Sequence, residues 1–271
     1  MTGLKRLAVF ALGLVPVRLR AILLNGVLAS LSEGELDTFR RKSHGVDMAW
    51  SLRALRKKGF DPSMIVDVGA YVGDWTRMTK RIFPQSRVLM IDAQSSKRTA
   101  LESVRSEYSG SVELEIALLS AQSGRRVEFV LLESGSTLFD ERSDVARTTV
   151  HLETRTLDEL LDTRGFRGAS FLKLDVQGAE LEVLKGGRRA LADAEVVLLE
   201  TSLLSYNRDA PLVSDVVRFM DEHGFCIYDI TSLTRRADLA IEDADDTLVQ
   251  LDALFVKKAS PWRPEFFRFQ R

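Results

Sequence analysis

The sequence predicts a doubly wound α/β fold, in which helices cover both faces of a seven-stranded sheet. Three observations support this prediction. Five short apolar runs alternate with segments of helical periodicity, which is typical of parallel strands joined by crossover helices. The last two apolar runs, at residues 225–230 and 249–256, follow one another without a helix between them. A tight glycine turn follows the first run and leads into a helix.

Composition and charge limit the classes of function. A chain of 271 residues with 45% hydrophobic and 28% charged residues is typical of a soluble globular protein with a substantial core. The net charge of -1 argues against electrostatic binding to nucleic acid. Because Cys226 is the single cysteine, no internal disulfide can form, and a reducing cytoplasm is the expected compartment.

The first 58 residues are predicted to form a helical segment that packs on a domain of residues 59–271. An apolar run at residues 7–15 imitates a secretion signal, but Pro16 interrupts it, and the run is too short to span a membrane. Residues 1–31 therefore predict one or two helices that dock on the domain. Peripheral contact with a membrane surface, or an interface between copies of the chain, remains an alternative for these helices.

The first core strand leads into the glycine turn. Residues 64–68 are apolar and β-branched except for Asp67, and helical spacing resumes after the turn as far as Pro84. Gly69 and Gly73 bracket the turn. In a parallel sheet, backbone N–H groups at such a helix start come close to a nucleotide-like ligand, because glycine leaves room for the approach. An ordinary strand-to-helix turn would show the same glycines.

The second strand, at residues 87–92, ends in an acid, Asp92. In a doubly wound sheet this position lies beside the first glycine turn, where a carboxylate can accept hydrogen bonds from ribose hydroxyls. A solvent-exposed loop aspartate is the alternative. A helix at residues 95–108, which Gly110 ends, and a third strand at residues 112–118 follow.

An antiparallel hairpin is predicted next, as an excursion from the α/β core. Apolar and polar residues alternate at 127–131 and again at 148–155, which is typical of paired strands. Ser136 and Thr137 lie in the loop between these strands and would be able to reach acceptor hydroxyls, although loop polarity explains them equally well. Thr156 is predicted to cap the helix that follows.

The remaining core strands again place acids at their ends. The fourth strand, at residues 170–175, ends in Asp175 and precedes a helix at 178–185. The fifth strand, at residues 195–200, is almost entirely apolar, which predicts burial on both faces, and it ends in Glu200. The chain closes with a helix at 212–223 whose last turn carries His223, the two final strands, and an aromatic tail.

The glycine spacing separates two Rossmann-like classes of enzyme. A nicotinamide-dependent oxidoreductase would be expected to show Gly-x-Gly-x-x-Gly after the first strand. This chain has three residues between Gly69 and Gly73, with Tyr71 in the middle and Asp67 before the first glycine. Seven strands, of which the last two lack an intervening helix, instead resemble the S-adenosylmethionine methyltransferase class, whose seventh strand is antiparallel.

A longer motif makes the resemblance specific. Residues 171–187 read Phe-Leu-Lys-Leu-Asp-Val-Gln-Gly-Ala-Glu-Leu-Glu-Val-Leu-Lys-Gly-Gly. They resemble the FkbM family of methyltransferases, whose motif is Lys-x-Asp-Val-(Glu or Gln)-Gly-x-Glu followed by Leu-Lys-Gly. The resemblance extends over roughly residues 60–257, with further family-like segments at 66–70, 117–118, 155–159, 199–200 and 250–256.

Three positions depart from the common pattern of this family. Gln177 stands where many members have glutamate, Asp92 begins an Asp-Ala-Gln segment where many have Glu-Pro, and Tyr71 stands where Asn is frequent. The first two changes keep a hydrogen-bonding group. Gln177, however, supplies no carboxylate to any step that needs one there.

The resemblance implies a class I methyltransferase that transfers a methyl group from S-adenosylmethionine to an oxygen of a small molecule, a sugar or a polyketide-type metabolite. A divalent metal is compatible with this chemistry but is not implied. The backbone at 69–73 would bind the amino-acid part of the cofactor, Asp92 its ribose and the region of Ala117 its adenine. The full set of expected cofactor residues is Asp67, Gly69, Ala70, Tyr71, Gly73, Asp92, Ala93, Ala117, Leu118, Asp175 and Gln177.

Four residues are candidates to accept the proton of the acceptor hydroxyl. Asp175 comes first, because open α/β sheets bind ligands at the carboxyl ends of central strands, and Glu200 at the neighbouring strand end is its partner. Glu180 begins a helix and would equally serve the helix dipole. His151 alternates with the inward-facing residues of its strand, so an exposed position is the alternative for it. A non-catalytic protein, attached to a membrane or acting as a scaffold through residues 1–31, is a further alternative.

Overall fold

The computed structural model describes residues 30, 32, 47–131, 148–204, 210–236 and 245–263. The chain divides into two compact units, Met1–Asp47 and Met48–Arg271. Most of the first unit lies outside the described residues, as do Ser136, Thr137 and the aromatic tail beyond residue 263. The expectations for these segments, and the division of the chain at residue 58, stay predictions.

Apart from the helix Arg188–Asp193 and the short strand Leu118–Leu119, which were not predicted, the described elements follow the order that the sequence predicts. The helices are α1 (Met48–Lys57), α2 (Asp74–Ile82), α3 (Arg98–Glu107), α4 (Leu157–Arg164), α5 (Glu180–Lys185), α6 (Arg188–Asp193) and α7 (Val213–Glu222). The strands are β1 (Met64–Val68), β2 (Arg87–Asp92), β3 (Val112–Ile116), β4 (Leu118–Leu119), β5 (Arg126–Leu131), β6 (Thr148–Arg155), β7 (Phe171–Leu174), β8 (Val196–Ser202), β9 (Phe225–Arg235) and β10 (Leu248–Lys257).

Seven strands form the main sheet, in the order β3-β2-β1-β7-β8-β10-β9. The first five of these run parallel, and β10 is antiparallel to both β8 and β9. The doubly wound seven-stranded sheet with an antiparallel last strand is therefore confirmed. The strand order reverses between β1 and β7, and ligands bind to open α/β sheets at such a switch point.

A second sheet of three strands, in the order β4-β6-β5, contains the predicted hairpin. β5 and β6 pair antiparallel, and the short β4 pairs parallel to the end of β6. The predicted third strand was too long, because Leu118 belongs to this second sheet. The chain leaves the main sheet at Ala117, whose N–H donates to the Asp92 carbonyl at 2.9 Å.

Other element boundaries differ from the sequence expectation by a few residues. The helix predicted at 95–108 is a 3-10 turn, Ser95–Lys97, followed by α3, and the helix predicted at 178–185 begins at Glu180. Strand β9 continues to Arg235 because it pairs with β10 over nearly its whole length. The predicted cap is confirmed, since the Thr156 hydroxyl accepts the Glu159 N–H at 3.3 Å.

The main sheet is covered by apolar residues on both faces. On one face Phe60 makes edge-to-face contacts with Phe83 and Phe171, and β1 contributes Ile65 to the same cluster. The other face packs against α4, α6 and α7, and includes Leu174. Burial on both faces explains why the central strands are almost entirely apolar until their carboxyl ends.

Candidate active site

A cleft of about 300 Å³ lies at the carboxyl ends of β1, β2, β7 and β8. This position is the switch point of the main sheet, and the second sheet contributes one wall. The lining residues are Val68, Gly69, Tyr71, Ile91, Asp92, Ala93, Gln94, Ala117, Leu118, Leu119, Phe129, Asp175, Val176, Gln177, Ala179 and Glu200.

Most of the residues expected to bind a cofactor meet in this cleft. Gly69, Tyr71, Asp92, Ala93, Ala117, Leu118, Asp175 and Gln177 all line it, although they come from four separate parts of the sequence. Asp67, Ala70 and Gly73 do not line it. Of the four candidate proton acceptors, Asp175 and Glu200 line the cleft, whereas Glu180 and His151 do not.

Position 69 must be glycine because the backbone at Asp175 approaches it closely. Its φ is +76°, and a Cβ there would lie 1.8 Å from the carbonyl oxygen of Asp175. The N–H groups of Gly69 and Ala70 both donate to the Ile91 carbonyl, and the N–H of Gly73 donates to the Ala70 carbonyl. These N–H groups therefore connect β1 to β2 and close the turn.

Gly73 serves the packing of a helix. Its φ is +81°, and a Cβ there would lie 2.6 Å from Cγ2 of Val104 on α3. The two glycines that first drew attention to this turn thus have different structural reasons. Gly69 brings the ends of β1 and β7 together beside the cleft, whereas Gly73 lets α3 pack behind it.

Asp67 forms a buried ion pair below the cleft. Its side chain is 0% exposed, and its Oδ1 lies 3.1 Å from Nζ of Lys173, its register partner on β7. Its other oxygen accepts a hydrogen bond of 2.7 Å from the Thr76 hydroxyl on α2. Asp67 therefore joins β1, β7 and α2.

Lys173 connects this buried aspartate to the cleft. Its ammonium donates to the Gly69 carbonyl at 2.8 Å and lies 3.5 Å from Oδ2 of Asp175. Burial alone would lower the pKa of Lys173, but the carboxylates of Asp67 and Asp175 outweigh it and raise that pKa. The lysine is therefore a permanent positive charge between the glycine turn and Asp175.

Asp92 is 6% exposed and uses both carboxylate oxygens on backbone donors. The N–H of Tyr71 donates to Oδ2 and the N–H of Gln94 donates to Oδ1, each at 2.8 Å. Burial raises the pKa of Asp92, while these two hydrogen bonds act in the opposite direction. The carboxylate thus fixes the glycine turn against the segment that follows β2.

An apolar wall lies next to Asp92. Ala93, Ala117 and Leu118, which the sequence placed there, are joined by Ile91 and by Phe129 of β5. Phe129 was missed, because only the pairing of the second sheet brings the hairpin to this cleft. Its alternation with polar neighbours indicates an inward-facing residue, but not what it faces.

Gln177 bridges two carboxylates, that of Asp175, which directly follows β7, and that of Glu200, which lies within β8 rather than at its predicted end. Its Nε2 donates to Oε2 of Glu200 at 2.7 Å and to Oδ1 of Asp175 at 3.2 Å. The side chain of Asp175 is 38% exposed, so this carboxylate is accessible from the cleft. Sequence reasoning identified all three residues but not their contact.

Glu200 lies among other acids. Burial, followed by repulsion from Asp175 and Glu180, raises the pKa of Glu200 well above its ordinary value. Asp252 on β10 is its direct register partner, and burial and the nearby Asp175 raise the pKa of Asp252 to about 6. Asp252 was missed as a member of this group because the pairing of β10 with β8 is a long-range contact.

Glu180 supports the turn between β7 and α5 from inside the protein. Its side chain is buried, at 2% exposure for the residue, and its Oε1 accepts the N–H groups of Val176 and Gly178 at 2.9 and 3.2 Å. Burial raises the pKa of Glu180 to about 7, although both hydrogen bonds act to lower it. Its carboxylate faces the backbone rather than the cleft.

The two described histidines that the sequence drew attention to lie outside the cleft. His151 is exposed on β6, opposite Glu128 of β5. His223 follows α7 and its Nδ1 lies 2.7 Å from the Phe219 carbonyl, consistent with the expected position at the helix end. Neither histidine is placed to exchange a proton with a ligand in the cleft.

Among residues 47–131, 148–204, 210–236 and 245–263, the chain contains no cluster of three or more His, Cys, Asp or Glu side chains arranged to bind a metal ion. The same ranges also contain no helix with the length and apolar character needed to cross a membrane.

Comparison with known families places the sequence motifs in context. A family model described as the Methyltransferase FkbM domain matches residues 67–227, more than half of the chain. The match begins at Asp67 and includes the glycine turn, Asp92, the hairpin and the strand ends at Asp175 and Glu200. No curated protein matches the chain.

Several solved structures are similar to this chain. Methyltransferase FkbM from Methylobacillus flagellatus KT has a TM-score of 0.48 and 18% identity, over 78% of this chain and 49% of that chain. This chain therefore spans about half the length of that protein. Precorrin-6y C5,15-methyltransferase from Geobacter metallireducens GS-15 has a TM-score of 0.44 and 11% identity, over 84% of this chain and 91% of that one.

Proposed function

The chain belongs to the FkbM methyltransferase family, and from this premise we propose that it binds S-adenosylmethionine and methylates a hydroxyl oxygen of a small molecule or glycan. The observation that supports this most directly is that Asp92, Asp175 and Glu200 line the same cleft. This cleft combines a buried acid beside a glycine turn with an accessible acid across the switch point of the sheet.

The residues of the cleft fit the chemical groups of this cofactor. Each oxygen of Asp92 accepts one backbone N–H, and a carboxylate has room for about four hydrogen bonds, so ribose hydroxyls would complete its set. The apolar wall of Ile91, Ala117, Leu118 and Phe129 suits a flat adenine ring. When bound, S-adenosylmethionine supplies a methyl group whose bond to sulfur breaks with the electron pair remaining on sulfur.

The amino-acid part of the cofactor would lie near the acids at the other end. Because the N–H groups of Gly69, Ala70 and Gly73 are engaged within the protein, side chains at this end of the cleft, rather than these backbone donors, would hold the amino-acid part. Tyr71 and Gln177 line the cleft on either side of this region. The proposal thus assigns this part of the cofactor to side chains of the cleft instead of the backbone donors of the glycine turn.

Asp175 is the proposed acceptor of the hydroxyl proton. It is accessible, it lies at the end of a central strand, and Lys173 and Gln177 fix both of its oxygens. Holding a base in one orientation beside a reactive hydroxyl contributes to the rate through proximity and through proton transfer. Glu200, which shares Gln177 with Asp175, is the neighbouring acid in this proposal.

Calorimetry tests the cofactor directly. Titration of the full chain with S-adenosylmethionine, and separately with S-adenosylhomocysteine, is expected to give saturable binding at one site per chain. Absence of binding by either compound would contradict the proposal. Binding of NADH in a parallel fluorescence titration, without binding of S-adenosylmethionine, would instead support a nicotinamide-dependent oxidoreductase.

Isotope transfer tests the reaction. The full chain is incubated with S-adenosylmethionine labelled in its methyl group and with extracts of small molecules and glycans, and labelled products are identified by mass spectrometry. A label on an oxygen of a small molecule or sugar is the expected result. Cofactor binding without any labelled product would favour the non-catalytic alternative, and a label on nitrogen or carbon would contradict O-methylation.

A further inference from the structure

Gln177 occupies an unusual position between two acids. It lies in the turn between β7 and α5, lines the cleft, and directs Nε2 at both Asp175 and Glu200. The NH₂ group of the amide, rather than its oxygen, faces both carboxyl groups. The side chain therefore acts as a donor to both acids.

The backbone of this turn is held in a conformation that non-glycine residues rarely adopt. Gln177 has a φ of +55°, in the left-handed region, and the following Gly178 has a φ of +97°. Such a conformation costs free energy for a side chain with a Cβ, so the surroundings must impose it. Glu180 does so, by accepting the N–H groups of Val176 and Gly178 on either side of Gln177.

The chemistry of the amide suits a pair of acids. Two carboxylates that share one hydrogen-bond donor repel each other, and one of them would normally take up a proton to relieve the repulsion. The NH₂ group carries two hydrogens, and it can give one to each carboxylate without adding a charge. A glutamate at position 177 would instead bring a third carboxylate into contact with the pair.

The charges around Asp175 and Glu200 offset little of the repulsion between these two carboxylates. Lys173 lies 3.5 Å from Asp175, but Asp67 also binds it, at 3.1 Å. Asp252 pairs with Glu200 from β10, and Glu180 lies beneath the turn. Each of these three further acids adds negative charge near the pair, so a neutral donor at position 177 has a large effect on it.

We propose that Gln177 is a positioning residue that holds the carboxylates of Asp175 and Glu200 side by side and directs that of Asp175 into the cleft. The role of Gln177 in catalysis rests on the proposed function, in which the hydroxyl proton of the acceptor passes to Asp175. Gln177 itself takes up and releases no proton. Its contribution is to fix the orientation of the group that does.

Equilibrium unfolding at two pH values tests this without knowledge of the acceptor. Gln177→Met keeps the length of the side chain and its unbranched Cβ, so backbone strain is unchanged, but it removes the donor. At pH 8 we expect the unfolding equilibrium constant to rise about tenfold, because the pair of acids loses a charge-assisted hydrogen bond. At pH 5 we expect less than about a threefold rise, because one acid can take up a proton and donate it to the other.

Gln85→Met is the matched control, since Gln85 is exposed in the loop between α2 and β2. Its effect should be small and equal at both pH values. An equal loss of stability at pH 5 and pH 8 for Gln177→Met would show that Gln177 only fills space, which would overturn the proposal. In a Glu200→Gln background the pH dependence of Gln177→Met should vanish, and its persistence there would also contradict the proposal.

Methyl transfer and cofactor binding provide the second readout. Gln177→Met should bind S-adenosylmethionine within about threefold of the unmodified chain, while the acidic limb of its rate profile moves up by about one pH unit as the pKa of the pair rises. Gln177→Glu should move this acidic limb further in the same direction.

A loss of cofactor affinity greater than about tenfold with an unchanged pH profile would make Gln177 a cofactor ligand instead. If the unmodified chain does not bind S-adenosylmethionine, the proposed function fails, and the unfolding experiment still decides the positioning role.

Discussion

The two ends of the cleft hold their acids in different ways. At the Asp92 end (Tyr71, Asp92 and Gln94), a single carboxylate accepts two backbone N–H groups at 2.8 Å. At the Asp175 end (Lys173, Asp175, Gln177 and Glu200), the carboxylates are held by an ammonium and an amide side chain, and Asp252 and Glu180 add further negative charge nearby. The first arrangement uses neutral donors that the fold supplies, whereas the second balances several charges.

This difference predicts which changes each end of the cleft tolerates. Backbone donors stay in place as long as the sheet does, so the Asp92 end should lose affinity only when Asp92 itself changes. The Asp175 end depends on one ammonium and one amide, so changes of a single charge should affect stability, pH dependence and turnover together. Four substitutions test this contrast, from the largest expected effect to the smallest.

Asp175→Asn should separate chemistry from binding. We expect turnover to fall by about 10²–10⁴, because the residue that accepts the proton is lost, while affinity for S-adenosylmethionine changes by less than about threefold. Rates of label transfer and calorimetry measure the two quantities. Asp193→Asn, at the exposed end of α6, is the control. Equal loss of cofactor affinity in Asp175→Asn and Asp92→Asn would remove Asp175 from its proposed role.

Lys173→Met should cause the largest loss of stability. It leaves the carboxylate of Asp67 buried without its partner, and removal of one member of a buried pair costs about 3–5 kcal/mol. Denaturation with urea at pH 7 gives the free energy of unfolding. Lys185→Met serves as the control, because that lysine is half-exposed and pairs only with Glu182 among the described ion pairs. A loss below about 1 kcal/mol would mean that the buried pair is not what connects β1 to β7.

Glu180→Gln should change how stability depends on pH. The folded-state pKa of Glu180 is about 7, above the ordinary value of 4.5, so the fold favours its protonated form. That contribution is complete below the unfolded pKa and is lost as the pH rises through about 7. Relative to Glu180→Gln, which does not titrate, the unmodified chain should therefore lose about 2 kcal/mol between pH 5 and pH 8.

Urea denaturation at several pH values measures this difference. Glu182→Gln is the matched control, because Glu182 lies on the exposed side of the same helix and pairs with Lys185. Parallel pH curves for the unmodified chain and Glu180→Gln would contradict the expectation. They would indicate that hydrogen bonds from Val176 and Gly178 outweigh the burial of the carboxylate.

Asp92→Asn should have the smallest and most local effect. One side-chain oxygen becomes an NH₂ group that faces a backbone N–H, so one hydrogen bond is lost, and the dissociation constant for S-adenosylmethionine should rise about tenfold. Turnover at saturating cofactor should be nearly unchanged. Asp61→Asn, at an exposed position before β1, is the control. A large fall in turnover without loss of affinity would place chemistry at the Asp92 end.

Sequence reasoning found the acids of the site because each follows or ends an apolar run, although the strand of Glu200 continues to Ser202. Asp92, Asp175 and Glu200 were identified in this way, and all three line the cleft. Phe129 and Asp252 were missed, since their roles depend on which strands pair with which. Glu180 was found, but its position relative to the backbone of the turn was not.

The sequence by itself determined the order of strands and helices, the glycine turn and the family motif at residues 171–187, because these depend on local periodicity and on residue types at fixed spacing. Only the tertiary structure decided that Lys173 pairs with Asp67, that Gln177 joins Asp175 to Glu200, and that several acids share one lysine. The contacts Lys173–Asp67 and Gln177–Glu200 join residues far apart in the chain, and their energies depend on burial, which no local pattern specifies.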